Sequence, residues 1–134
     1  KMILALLLVQ DANTGLWYQV LDRGGNEGNY TEASASCMFV YALAKGIRKN
    51  YLSTKHLEAA RRGYDGLIEY LVDEDEQRQG NLSRISRAAS SGGEQQSDGS
   101  EESDLSGTVV SDDCETVGAF LMAGSEMERL GESA

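Results

Sequence analysis

The sequence predicts an all-α domain, and three observations carry that reading. Apolar residues recur with a helical period over residues 33–50, 55–72 and 112–130. These stretches alternate between apolar all round and apolar along one stripe, and no segment competes with them as a strand. An inner, outer, inner order is what paired helices show when they close into an α/α toroid or stack as an α-solenoid. Either arrangement needs more helices than these residues supply. A chain of 134 residues, 40% hydrophobic and 25% charged, forms a single domain. Folding at this length buries roughly 65–70% of the unfolded chain's surface. The core therefore needs no disulfide, and Cys37 and Cys114 need not be paired.

Lys1 and the apolar run 2–9 have the outline of a secretory leader, but Gln10-Asp11-Ala12-Asn13 offers no small-x-small cleavage site. The run reads instead as the last turns of a helix that begins before Lys1. Residues 11–32 form a long segment leading into the first inner helix. Within it, 16–21 (LWYQVL) suits a short β-segment or hairpin arm, while Thr14-Gly15 and Gly24-Gly25 equally suit a structured loop.

Between Cys37 and Ala44 apolar residues occupy every side of the helical wheel, so the helix over 33–50 is expected to be buried all round. The next helix, 55–72, places Leu57, Ala60, Tyr64, Leu67 and Leu71 on one stripe. Glu58, Arg61, Arg62, Asp65 and Glu69 lie largely elsewhere on its wheel, which gives it a wet outer face. Ser53 or Thr54 is placed to cap it. The four acids Asp73, Glu74, Asp75 and Glu76 then read as a solvated helix end, because consecutive carboxylates lack the alternating ligand spacing of a calcium loop.

Of the 28 residues from Gly80 to Gly107, 13 are Gly or Ser, and only Leu82, Ile85 and Leu105 are large and apolar. Such a stretch buries too little to offset its ordering entropy, so a Gly/Ser-rich acidic loop, partly disordered, is expected at about 78–111. The last helix opens at Asp112, where Asp112-x-x-Glu115 resembles a capping box, and is apolar all round from Val117 to Ala123. Both long segments enter inner helices at their amino-terminal ends. Trp17 is thus expected beside Glu32 and far from Asn50, with the short turn near Ser53 at the other end.

Charge narrows the function classes. Residues 1–79 carry 9 basic and 11 acidic side chains and residues 80–134 carry 3 and 11, within a net charge of −10. Phosphate recognition depends on Lys and Arg, so nucleic acid is excluded as an expected partner. No apolar run approaches the roughly 20 residues of a membrane span, and no membrane partner is expected. A soluble protein is expected, its compartment left open by the sequence with the cytoplasm favoured.

Residues 14–52 carry a specific signature: TGLWYQVLD at 14–22, NYTEASAS at 29–36 and MFVYALAKG at 38–46. They closely resemble the unsaturated glucuronyl and rhamnogalacturonyl hydrolases, glycoside hydrolase families 88 and 105. The stretch VVSDDCETVGAFLMAGSEMERL at 109–130 resembles the closing helix of that family. The likeness runs from about Gln10 to Leu130 and corresponds to roughly the last third of a family member. It implies part of an (α/α)6 barrel of six inner and six outer helices.

It also implies an activity. Such enzymes remove the terminal 4,5-unsaturated uronic acid from oligosaccharides left by polysaccharide lyases. An aspartic acid donates a proton to the double bond, water adds, and the unstable hemiketal opens. The proton donor and the His, Trp and Arg residues around it belong to motifs that precede this segment, so no catalytic residue is assigned here. The family's aromatic stretch after Asp-Gly-Ser is replaced by acids and hydroxyls at Asp98-Gly99-Ser100-Glu101-Glu102-Ser103-Asp104.

The residues themselves leave alternatives open. Trp17 is either a core or lid residue or a wall of the sugar cleft. Glu32 and Ser34 are either helix caps and first-turn polar residues or cleft groups that hydrogen-bond sugar hydroxyls. His56 reads as a surface residue and Cys37 as a small apolar one. No metal ligand and no cofactor are expected. The function expected is a carbohydrate-active hydrolase segment with an oligosaccharide as partner. The alternative is a truncated or diverged, inactive helical interaction module; in either case inner helices with too few neighbours are expected to self-associate through exposed helix faces or to pack loosely.

Overall fold

Seven consecutive apolar residues form α1 (Met2–Leu8), which buries Leu6 and leaves Met2, Leu4 and Leu8 exposed. The protein is described by a computed structural model over residues 1–74, 80–82, 85–86, 109–110 and 114–132. A loop then leads into α2 (Ala33–Arg48), whose amino-terminal cap is Glu32: its carboxylate accepts from the Ala35 N–H at 2.7 Å. At the other end Asn50 takes a left-handed conformation (φ 59°), and the N–H groups of Tyr51 and Leu52 both donate to the Gly46 carbonyl. That reversal stops the helix two residues short of Asn50 and satisfies a carbonyl that the helix end leaves free.

Ser53 is the cap that the sequence offered, its hydroxyl accepting from the Lys55 N–H. A single 3-10 turn (Thr54–His56) runs into α3 (Leu57–Leu71). The chain after Leu71 departs from the helical expectation. Val72–Glu74 form strand β1, paired antiparallel with β2 (Gly80–Leu82), with Val72 opposite Leu82. Asp73 and Glu74 thus lie on a ribbon rather than at a helix end, where backbone pairing across the ribbon replaces the helix's own bonds. A second ribbon joins β3 (Ile85–Ser86) to β4 (Val109–Val110). Apart from β2, β3 and β4, the loop expected at 78–111 lies outside the described residues, as do Asp75, Glu76 and Asp112. The last helix, α4 (Cys114–Glu132), starts two residues after Asp112.

The architecture among the described residues is helical, with α2 at its centre. It packs most extensively against α4 and next against α3. Cys37, Val40, Leu43 and Ala44 of α2 meet Ala60 and Leu67 of α3 and Ala119 and Ala123 of α4 in one buried cluster. Small residues at Ala44, Ala119 and Ala123 leave room for helix backbones to approach, while burying Leu43 and Leu67 contributes about 1.5–3 kcal/mol each. Tyr64 stacks on Phe120, ring centres 6.4 Å apart, and so ties α3 to α4.

Burial all round is not what α2 and α4 achieve. Met38 is 52% exposed, and Leu121 and Met122 are 65% and 49% exposed. An apolar surface can be covered only by neighbours, and among the described residues none covers Met38, Leu121 or Met122. No helix of the described residues is long and apolar enough to cross a membrane.

Candidate functional site

The residues singled out by sequence converge at the amino-terminal end of α2, and the segment that brings them there is fastened at both edges. Asp11 starts it: its carboxylate accepts from the Thr14 N–H and the Thr14 hydroxyl, both at 2.8 Å. Gly15 follows at φ 73°, and a Cβ there would lie 2.2 Å from the Arg62 carbonyl oxygen, so this position is restricted to glycine. Gln10 fills the corner, its side-chain amide donating to the carbonyls of Gly15 (2.7 Å) and Ala59 (3.0 Å). Arg62 in turn donates to the Gln10 side-chain oxygen at 2.9 Å.

The loop then lies flat on α3 because α3 has glycines beneath it. A Cβ at Gly66 would come within 1.9 Å of the Thr14 carbonyl oxygen, and one at Gly63 within 2.7 Å of Val40 and 3.1 Å of the Trp17 ring. Leu16 and Trp17 are fully buried. Trp17 uses every polar group it has: its N–H donates to the Ser36 hydroxyl, its indole N–H to the Leu6 carbonyl, and its carbonyl accepts from the Glu32 N–H. The ring meets Phe39 edge-on at 5.4 Å. Trp17 is therefore beside Glu32, as the loop lengths predicted, but its side chain is a core element rather than a cleft wall. An enclosed indole with its N–H already bonded presents no face to a sugar.

Past Trp17 the two arms touch once, in a bridge between Tyr18 and Thr31, and the Gln19 N–H donates to the Tyr30 carbonyl at 2.8 Å. Of the two readings left open for 16–21, a structured loop with one bridge is the outcome. Asn29 closes it: its side chain accepts from the Val20 N–H and donates to the carbonyls of Val20 and Arg23. Glu32 is almost fully buried, and the Ser34 hydroxyl donates to its carboxylate at 2.8–2.9 Å. The structure thus places Glu32 and Ser34 in one capping unit, with Ser34 half-buried at its outer side. The first two turns of α2 are tied to the loop through Glu32, Ser36 and Phe39.

The Cys37 thiol sits just inside this end. Burial, and secondarily the Glu32 charge, push its pKa up to about 12, so it stays protonated and inert. His56 is half-buried at the end of the 3-10 turn, which follows the carboxyl end of α2. The opposite, carboxyl end of α2 holds a group that sequence reading missed. Arg48 donates twice to Glu126 of α4, at 2.6 and 2.9 Å, and Arg129 lies 3.8 Å away. The hydrogen bonds from Arg48 hold the Glu126 carboxyl below the usual carboxylate range. One turn earlier Lys45 donates to the Tyr41 hydroxyl and lies over that ring. Glu126 stands inside an otherwise ordinary helix, with no local signal to mark its partner.

The family model described as Glycosyl Hydrolase Family 88 matches residues 1–131. The chain belongs to glycosyl hydrolase family 88. Two curated relatives of this family 88 chain, Protein Atu3128 of Agrobacterium fabrum and the 24.9 kDa protein in the picA locus of Rhizobium radiobacter, are each 38% identical over 132 residues. The matches take in 94% of the chain and 57% of each relative, so the chain spans little more than half their length.

A glycoside hydrolase from family 105 of C. acetobutylicum has a solved structure that superposes at a TM-score of 0.87 with 43% identity. It covers 95% of the family 88 chain, which spans 35% of that protein. A possible member of the family from Klebsiella pneumoniae, at 24% identity and a TM-score of 0.70, shares the fold over 98% of the chain. The alternating helices are thus part of a helical barrel.

Proposed function

We infer that this chain forms part of a carbohydrate cleft in a hydrolase of unsaturated uronic acids, acting on the oligosaccharides that polysaccharide lyases leave. The observation that carries the reading is the fastened segment 14–36. Its TGLWYQVLD and NYTEASAS motifs converge on the amino-terminal end of α2, which this reading makes the rim of the cleft. The buried Trp17 and Glu32 position this rim, and half-buried Ser34 and Gln19 are the groups on it that can meet sugar hydroxyls. No cofactor enters the reading, and the proton donor comes from outside these residues.

General acid catalysis needs an acid within hydrogen-bond reach of the proton's destination. Glu32, the buried carboxylate of this rim, is already committed to the Ala35 N–H and the Ser34 hydroxyl. The chain by itself is expected to leave unsaturated disaccharides intact. Steady loss of their ultraviolet absorbance above a heat-killed control would overturn that.

The positive test is a chimera in which this chain replaces the matching third of the C. acetobutylicum family 105 protein. A folded chimera that consumes the unsaturated disaccharides its parent consumes supports the cleft reading. A folded chimera without activity supports the inactive helical module instead.

A further inference from the structure

A serine hydroxyl carries one proton and two lone pairs, so the group that takes its proton decides what it can offer to anything else. At Ser34 that group is fixed. The hydroxyl donates to the Glu32 carboxylate, 2.9 Å from Oε1 and 2.8 Å from Oε2, and so spans both oxygens. Glu32 is 2% exposed, and its Oε2 also accepts from the Ala35 N–H at 2.7 Å, which holds the carboxylate in place as the cap of α2. A carboxylate accepts and does not donate. What the half-buried Ser34 oxygen has left is its lone pairs, and it cannot turn its proton outward without giving up a charge-assisted bond.

An amino-terminal helix end favours an anion, and at α2 that anion is built in. Glu32 takes the Ala35 N–H with its carboxylate and the Ser36 N–H with its carbonyl. One turn on from Ser34, on the same face, stands Met38, apolar and 52% exposed. A sugar hydroxyl meets Ser34 as a donor and satisfies it. A substrate carboxylate brings only acceptors, so lone pairs would face lone pairs and neither group would regain the water it gives up.

We propose that Ser34, with its proton held by Glu32, is a specificity-determining acceptor: it takes a hydrogen bond from a neutral hydroxyl of the bound oligosaccharide and turns the uronate carboxylate away from the α2 rim. The proposal rests on the reading of that rim as a wall of the carbohydrate cleft, and adds the direction of the bond and hence the orientation of the substrate. Glu32 is the positioning residue, acting on the sugar only through Ser34. Its amide isostere reverses the expectation. In Glu32→Gln the Ala35 N–H still needs the side-chain oxygen, so the amide nitrogen lies against Ser34 and donates to it. The serine proton is then free to point outward, and the same hydroxyl becomes a donor.

The test uses the chimera with the C. acetobutylicum family 105 protein and the saturated counterpart of its disaccharide, which lacks the double bond and is bound without turnover. Calorimetry gives Kd for this sugar, for derivatives with each hydroxyl in turn removed or replaced by fluorine, and for one with the uronate carboxyl reduced to an alcohol. At one hydroxyl position removal and fluorination should each weaken binding about tenfold, since fluorine cannot donate. Ser34→Ala should erase that difference and Ser34→Thr should keep it. Carboxyl reduction should cost the chimera and Ser34→Ala alike. In Glu32→Gln fluorination should be better tolerated than removal.

A Ser34-dependent position where fluorine replaces the hydroxyl without loss, a carboxylate whose contribution depends on Ser34, or no position that depends on Ser34 would each overturn the proposal. So would a chimera that does not fold, because it removes the shared placement of the rim. If helical circular dichroism shows that Glu32→Gln alone is unfolded, the two Ser34 variants decide. Because binding rather than turnover is read, an inactive chimera with the expected dependence defeats the hydrolase reading alone, and an active one without it defeats the acceptor role alone.

Discussion

The two ends of α2 are held by different physics. At the amino-terminal end, residues 10–36 fold back on themselves: Glu32 caps its own helix, Trp17 bonds to Leu6, Glu32 and Ser36, and the loop lies on the glycines of α3. At the carboxyl end the decisive contact joins Arg48 to Glu126, which are 78 residues apart. One end depends on shape and on neutral or capping hydrogen bonds, the other on charge. The amino-terminal end should therefore fail when volume changes, and the carboxyl end when protons are added.

Trp17→Ala should break this contrast hardest. It empties a fully buried site and removes an indole N–H bond, so a loss of about 3–5 kcal/mol is expected in urea unfolding. A loss below about 1 kcal/mol would mean that Trp17 is not the keystone of that end.

Next comes Gly66→Ala. The added methyl collides with the Thr14 backbone carbonyl, which unlike a flexible side chain cannot turn aside. A net cost of about 1–3 kcal/mol follows from overpacking, despite alanine's better helix propensity. If thermal unfolding instead shows stabilisation, the loop does not lie where the α3 glycines admit it.

Glu126 sharpens the comparison through pH, with a smaller effect than Gly66→Ala. Its carboxyl is held below its unfolded value, so the Arg48 contact contributes fully above about pH 4.3 and is lost as pH falls through the folded value. Wild-type stability should drop across that acidic window, and Glu126→Gln should flatten this part of the profile. An unchanged pH profile in the variant would show that other carboxylates govern acid unfolding.

Ser34→Ala is expected to be the mildest, at about 0.5–1.5 kcal/mol, because Glu32 keeps its bond from the Ala35 N–H. Its sharper use is comparative. In the chimera it should raise KM for an unsaturated disaccharide with little change in kcat if Ser34 meets a sugar hydroxyl.

Much of this molecule was legible because its signals are local. The three long helices follow from apolar periodicity, Ser53 from its place before a helix, and the position of Trp17 at the Glu32 end from the lengths of the connecting segments. The family motifs at 14–46 gave the barrel. What failed to show was the use made of each side chain. Trp17 reads equally as core or cleft wall until Leu6, Phe39 and Gly63 are seen around it. Asp73 and Glu74 read as a helix end until β2 pairs with them.

Sequence alone determined the helices, their inner and outer order and the family motifs at 14–46, since each depends on residues within a few turns of one another. Tertiary structure alone decided which apolar faces are covered and which buried charges find partners. Burial is a property of neighbours: two stretches that are both apolar all round gave a sealed Val40 and an exposed Leu121. Glu126, too, is tolerable in the interior only because Arg48, 78 residues earlier in the chain, arrives beside it.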